Sequence, residues 1–189
     1  KDFVTPSPLI LMKIFDENKH ILKIDTSRIK IFLAAPCASE PCALLPVSLS
    51  SSQVQWHAAT ETTPFTIEYQ PSNLVDGVYT LRVEGKDGKN NSSGTIPYQI
   101  QFTIKNETSL TISDPYPNPF STSLFFKIVI TGDNVPDAFD MQVITANGKL
   151  VTHYANYSDV PFHVGTNLLT WDGTDQGGNK LPGGVYIYK

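Results

Sequence analysis

Residues 98–119 decide the fold: Tyr98-Gln99-Ile100-Gln101-Phe102-Thr103-Ile104 is followed, after Lys105, by Asn106-Glu107-Thr108-Ser109-Leu110-Thr111-Ile112-Ser113-Asp114-Pro115-Tyr116-Pro117-Asn118-Pro119. The first stretch alternates along its length with period two, the pattern of a strand with one buried face. The second closes on Pro115, Pro117 and Pro119. A proline has no N–H and a fixed φ, so this run takes an extended path that neither a helix nor a central strand accepts. Strand patterning resumes at Ser123. The chain therefore reads as two modules, residues 1–105 and 120–189, joined by a linker over 106–119.

Upstream of the boundary, the pattern repeats. Leu9–Phe15 precedes the turn-forming Asp16-Glu17-Asn18-Lys19, then come His20–Ile24 and Ile29–Leu33, whose Ile/Lys alternation implies one wet face. After a connection rich in Pro, Ser and Ala, strands are expected at Gln53–His57, Phe65–Tyr69 and Tyr79–Glu84. Asp76-Gly77-Val78-Tyr79-Thr80-Leu81 and Gly85-Lys86-Asp87-Gly88-Lys89-Asn90-Asn91 are turn-plus-strand cassettes in which glycine supplies a positive φ. About seven strands with turns every ~8–12 residues is what an immunoglobulin-like or fibronectin-like sandwich requires.

Downstream, Ser123–Ile130, Phe139–Ile144, Leu150–Tyr154, Asn167–Trp171 and Gly184–Lys189 are strand-like, with a hairpin signal at Ala146-Asn147-Gly148-Lys149. No segment has a helical period. The expected fold is all-β: two tandem immunoglobulin-like β-sandwiches.

Composition agrees and excludes several function classes. Charged residues are 17% of the chain, below the ~25% of an average soluble domain, while ten Phe and eight Tyr favour half-buried pleated surfaces. Fourteen Pro and twelve Gly are spread along the chain without a repeat, as many short strands require. The net charge is -4 and the basic residues are scattered singly, so no footprint for a phosphate backbone exists and nucleic acid is not an expected partner. The longest apolar runs, such as Leu124–Phe126, fall far short of the ~18 residues that span a bilayer. The opening Lys1-Asp2-Phe3-Val4 carries neither an initiator Met nor a basic-then-apolar leader, and it reads as the interior of a longer protein.

Two cysteines, Cys37 and Cys42, flank a loop containing Pro41. Their spacing lets the Cβ atoms approach within disulfide reach, the other reading being two free thiols. A loop so small would be constrained by only ~2 kcal/mol, so the bond shapes a loop, does not hold the fold, and favours an oxidising compartment. His20, His57, His153 and His163 stand apart, none beside a nucleophile at catalytic spacing, and no glycine-rich loop opens a helix. The chain itself is expected to be no enzyme. Asp172-Gly173-Thr174-Asp175-Gln176-Gly177-Gly178-Asn179 admits two readings: a calcium loop, although its spacing is not that of an EF-hand, or a turn whose carboxylates accept backbone N–H groups without metal. A second, weaker calcium reading uses Asp16, Glu17 and Asp25. No other cofactor is expected. Sequons at Asn90, Asn91, Asn106 and Asn156 carry no weight in a chain so rich in Ser, Thr and Asn.

Two motifs in the second module point further. Tyr116-Pro117-Asn118-Pro119-Phe120-Ser121 opens it, and Trp171–Asn179 with Lys180-Leu181-Pro182-Gly183-Gly184-Val185-Tyr186-Ile187-Tyr188-Lys189 closes it. The pair resembles the C-terminal sorting domains of Bacteroidetes type IX secretion cargo and the related fold of the flagellar hook-capping protein. The first module, through Phe15-Asp16-Glu17-Asn18, Asp25-Thr26-Ser27, Asp76–Val83 and Tyr98–Phe102, looks more loosely like the module preceding that domain in gingipain-type surface proteins.

The resemblance implies a secreted, surface-located protein exported via the periplasm. The translocon, a shuttle protein and a sortase would recognise its second module, and lipopolysaccharide anchoring would follow cleavage. The parent would carry a cysteine peptidase domain or be a sortase-like relative. The expected partner-binding residues are Pro117, Asn118, Pro119 and Gly183, Gly184, Val185, Tyr186, Ile187, Tyr188 and Lys189. Within them the last strand is the plausible handle, because an edge strand offers unpaired backbone groups. Val185 and Ile187 either face a partner or fill the core. Asn106–Asp114 is the expected cleavage segment. The competing reading is a structural stalk or adhesin module binding carbohydrate or matrix through Trp56 and Tyr69.

Overall fold

A computed structural model of the chain describes residues 2–15, 22–86, 92, 94–155 and 161–189. Among these residues every regular element is a strand. The chain divides into two compact units, Lys1–Asn106 and Glu107–Lys189.

In the first unit, β1 (Asp2–Val4), β3 (Ile29–Ala34), β4 (Leu44–Val47), β7 (Gly77–Gly85) and β8 (Tyr98–Ile104) form one sheet in the order β1-β8-β7-β3-β4. A second sheet orders β2 (Ile10–Ile14), β6 (Phe65–Tyr69) and β5 (Val54–His57) as β2-β6-β5. The period-two pattern does what it predicts: Ile29, Ile31, Tyr79, Leu81, Phe102 and Ile104 of the first sheet share one buried core with Met12, Val54, Phe65, Ile67 and Tyr69 of the second. Lys30 is left in water. At ~1.5–3 kcal/mol per fully buried large side chain, this shared core is what holds the two sheets together.

The second unit is built the same way from fewer strands. β9 (Ser109–Ile112), β10 (Leu124–Thr131) and β13 (Gly165–Trp171) form a sheet in the order β13-β10-β9. β11 (Asp140–Thr145), β12 (Leu150–Ala155) and β14 (Tyr186–Tyr188) form another, ordered β12-β11-β14. Leu124, Phe126, Ile128, Ile130, Leu169 and Trp171 meet Phe139, Met141, Val143 and Val151 in a core of their own.

The two units share a local device. In Gly77-Val78-Tyr79, the Tyr79 hydroxyl donates to the Val75 carbonyl at 3.2 Å, and in Gly184-Val185-Tyr186 the Tyr186 hydroxyl donates to the Pro182 carbonyl at 2.7 Å. Each ring thus satisfies its polar tip locally while its body packs inward. The strands that follow differ in their neighbours. β7 lies between β3 and β8, whereas β14 has β11 on one side and no strand on the other among the described residues.

Several sequence expectations need correction. Of His20–Ile24, residues 20 and 21 lie outside the described residues, and Leu22–Ile24 is not strand. Within the 106–119 segment read as a linker, Ser109–Ile112 is β9, paired antiparallel to β10 from Ile128↔Ile112 to Thr131↔Ser109. The Thr131 hydroxyl donates to the Glu107 carbonyl at 2.6 Å. The prolines stop regular structure only after Ile112, so the second unit starts thirteen residues before Phe120. The same pairing counts against Asn106–Asp114 as an open cleavage segment. β4 was hidden by Pro46, which the fold tolerates because β4 is the last strand of its sheet, where a missing N–H costs no ladder bond. The Asp16–Lys19 turn, the Asp16/Glu17 part of the weaker calcium reading, His20 and the sequons at Asn90, Asn91 and Asn156 fall outside the described residues.

Candidate recognition surface on the second unit

The opening and closing motifs of the second unit come together. Beyond β9 the chain stays against β10, with Tyr116 and Phe125 exchanging backbone hydrogen bonds of 3.1 and 2.8 Å. The prolines then turn it so that Phe120 lands on Trp171, ring centroids 5.4 Å apart. On the closing side Trp171 meets Tyr186 edge-on at 5.4 Å, and Phe126 meets Tyr188 at 5.1 Å. Trp171, 3% exposed, is the hinge pin between both motifs, and its indole N–H donates to the Thr174 carbonyl at 2.9 Å.

Between them runs an open cleft of about 630 Å³. Asn118, Pro119, Gly183, Gly184, Val185, Tyr186, Ile187 and Tyr188, all expected from the sequence, line it. Pro117 and Lys189 do not. Phe120, Phe126, Trp171 and Leu181 also line it, and sequence reasoning had not given them a site role. The signal available for Phe120 was its place directly after Asn118-Pro119, and for Trp171 its place directly before the Asp-Gly loop.

In the β11–β14 ladder, Val143 pairs with Tyr188 and Thr145 with Tyr186, so both tyrosines share the inward face with the buried Val143. Val185 and Ile187 therefore point outward, 75% and 47% exposed. They do not fill the core.

The loop between Asp172 and Leu181 is built by its own carboxylates. Asp172 Oδ1 accepts from the Thr174 hydroxyl at 2.6 Å and the Thr174 N–H at 3.1 Å. Asp175 Oδ1 accepts from the Gly177 and Asn179 N–H groups, each at 2.9 Å. These bonds, led by the Thr174 hydroxyl for Asp172 and the Asn179 N–H for Asp175, hold both carboxyls below the usual carboxylate range. The turn repeats the plan of the Thr145–Lys149 hairpin. In each, a glycine with φ near +80° (Gly178 at 77°, Gly148 at 85°) donates its N–H back three residues, and the first residue's side chain caps the fifth residue's N–H. Both carboxylates thus accept backbone N–H groups, as the turn reading describes. Among the described residues no three His, Cys, Asp or Glu side chains gather as metal ligands do.

Elsewhere, Cys37 and Cys42 are disulfide-bonded. His57 stands 4.0 Å from Glu68, His153 2.6 Å from Asp140, both on exposed strand faces. Trp56, 41% exposed, keeps its adhesin-type exposure, but Tyr69, at 5%, is a core residue and no surface aromatic.

No protein-family model and no curated protein matches the chain. Among solved structures it is similar to the dimeric latent PorU of Porphyromonas gingivalis, at 19% identity and a TM-score of 0.37, over 98% of this chain and 16% of that one. The chain thus spans less than a fifth of that protein's length.

Proposed function

We propose that the chain is a non-catalytic region of a secreted surface protein, made of two immunoglobulin-like modules, whose second unit is read as a sorting label by type IX export machinery. One observation carries the reading: the Asn118-Pro119-Phe120 opening and the Gly183–Tyr188 closing segment meet on one cleft beside an open strand edge. The open edge gives an isolated sandwich nothing, since a bare apolar edge is a liability that folded proteins normally blunt with charge or cover. Gly183 has no atom within 4 Å of where a Cβ would stand and no left-handed φ, so the fold does not require glycine there. A backbone that must be approached closely does.

The test is export. Residues 1–189, together with any natural continuation beyond Lys189, fused behind a periplasmic reporter are expected to carry it to the outer surface of a type IX-competent host, and not in a strain lacking the translocon. Retention in the periplasm of both strains would refute the sorting role. The stalk or adhesin reading keeps one supporting feature, the exposed Trp56 stacked on Phe65 at 5.7 Å, and binding to an insoluble polysaccharide that is lost in Trp56→Ala would favour it.

A further inference from the structure

β7 and β14 follow the same Gly-Val-Tyr device, and each pairs antiparallel with the strand that precedes a hairpin partner: β7 with β3, β14 with β11. In the first unit the far side of β7 is taken by β8, antiparallel, with Phe102 opposite Tyr79 and Ile100 opposite Leu81. Phe102 stacks on Tyr79 at 5.4 Å. In the second unit the matching position beside β14 is vacant among the described residues. Resting on the sorting reading above, we propose that this position receives an extended segment of a partner protein, antiparallel to β14, with large apolar side chains opposite Tyr186 and Tyr188.

The ladder fixes which groups await it. Gln142 and Lys189 exchange hydrogen bonds of 2.9 and 3.0 Å, so by alternation Ile187 is the next residue bonded to β11. The N–H and C=O of Tyr186 and Tyr188 point away from the sheet, toward the open side. That side is where the cleft lies, and residues opposite the two tyrosines would enter it against Trp171 and Phe126, as Phe102 covers Tyr79 in the first unit. On the outer face, Leu150, Ile144 and Ile187 stand in one cross-strand row, with Leu150 45% and Ile187 47% exposed. The row runs to the edge and stops, and an apolar residue opposite Ile187 continues it. Charge selects the flank. Asp172 and Lys180 both line the cleft and offset each other, so it is Lys189, next after β14, that favours a carboxylate beside the apolar core of the segment.

A second copy fits poorly. Antiparallel pairing of two β14 strands about Ile187 sets Tyr186 against Tyr188 and Lys189 against Val185. The tyrosine rings are already held by Trp171 and Phe126, so nothing would enter either cleft.

The test uses the full chain and synthetic heptapeptides: the β8 sequence Tyr-Gln-Ile-Gln-Phe-Thr-Ile, a version with valine at its central position and a glutamate flank, and a scrambled control. The strand peptides are expected to slow hydrogen exchange at the Tyr186 and Tyr188 amides at least tenfold, the glutamate-flanked one at lower concentration. Ile187→Lys is expected to weaken binding at least tenfold with the Trp171 fluorescence unchanged. A semisynthetic chain N-methylated at Tyr188 keeps every side chain and its β11 bonds, and it should abolish the protection. Absence of protection with every strand peptide overturns the proposal, as does protection that survives N-methylation. Concentration-dependent dimerisation through the same amides would place a second copy there and also overturn it. So would a peptide fused behind Lys189 that occupies the edge, blocks free peptide and leaves export intact. If peptides bind but the reporter is never exported, the sorting reading fails while the strand site stands. If export proceeds and no peptide binds, the reverse holds.

Discussion

Gly173 and Gly183 lie ten residues apart in one loop region, and the structure predicts opposite signs for the same substitution. Gly173 has φ +77°, and a Cβ there would stand 3.3 Å from the Phe120 ring. Gly173→Ala therefore costs about 1–2 kcal/mol for a left-handed alanine. Any displacement of Phe120 from Trp171 adds to this, up to the ~0.5–1.5 kcal/mol of an aromatic contact. The total is about 2 kcal/mol. Gly183→Ala meets no atom within 4 Å and no left-handed φ, so it gains roughly 0.4–1 kcal/mol by narrowing the unfolded ensemble. The chain has two tryptophans, one in each unit, and in a Trp56→Phe background Trp171 alone reports on the second unit. Urea unfolding followed by its fluorescence should show the midpoint fall for Gly173→Ala and rise or stay for Gly183→Ala, with the slope unchanged. Equal losses at both positions would refute the claim that the fold needs the first glycine and not the second.

Other outcomes follow from the same packing. Phe126→Leu keeps the core apolar but removes the edge-on ring contact with Tyr188, so hydrogen exchange at the Lys189 amide, which bonds to Gln142, should speed up ahead of any change at Ile128. Reducing the Cys37–Cys42 bond opens a loop of five-residue separation, for which chain entropy gives ~2 kcal/mol, so the first unit should remain folded at room temperature with a lower urea midpoint. Hydrogen bonds in the folded loop hold Asp172 and Asp175 below the ordinary carboxylate value of 3.8, so their contribution is complete above that pH and is lost as acid is added through the lower folded values. The Gly177 and Asn179 amides should lose exchange protection as pH drops below ~4 and not above it. Asp25, held at about 2 by the Ser27 hydroxyl and by Lys23, should keep the Ser27 amide bonded down to more acid pH than the 172–181 loop keeps its own.

The strands legible in the sequence are those whose alternation meets a single wet face. Ile29–Ala34, Phe65–Tyr69 and Gly165–Trp171 each show it, and each was placed within two residues of its observed bounds. The missed strands lack that signal for separate reasons. Asp2–Val4 is too short to show a period, Leu44–Val47 carries Pro46, and Ser109–Ile112 was absorbed into the prolines that follow it. Most of the cleft was legible because glycine, proline and aromatic residues cluster at both ends of one module. Its floor was not: Phe126 is one of six apolar residues in β10, and only the packing that sets it under Tyr188 gives it a part.

That register also explains how one three-residue strand serves two surfaces. An apolar alternation such as Val185-Tyr186-Ile187-Tyr188 does not say which set turns inward, and aliphatic side chains facing the core would be the ordinary choice. Here the pairing of Tyr188 with Val143 and of Tyr186 with Thr145 puts the aromatic set inside. The outward set is then aliphatic and wet, which gains nothing for an isolated unit and raises its tendency to pair with foreign strands. The tyrosines reach across to Trp171 and Phe126 from an edge position, where a smaller inward set would leave the sheets unjoined at that side. Exchanging the sets, with Val185→Tyr, Tyr186→Val, Ile187→Tyr and Tyr188→Ile together, tests this directly. The swapped strand should lose both ring contacts and detach from β11, seen as loss of exchange protection at Lys189. If it stays protected, the aromatic set is not what fastens the strand.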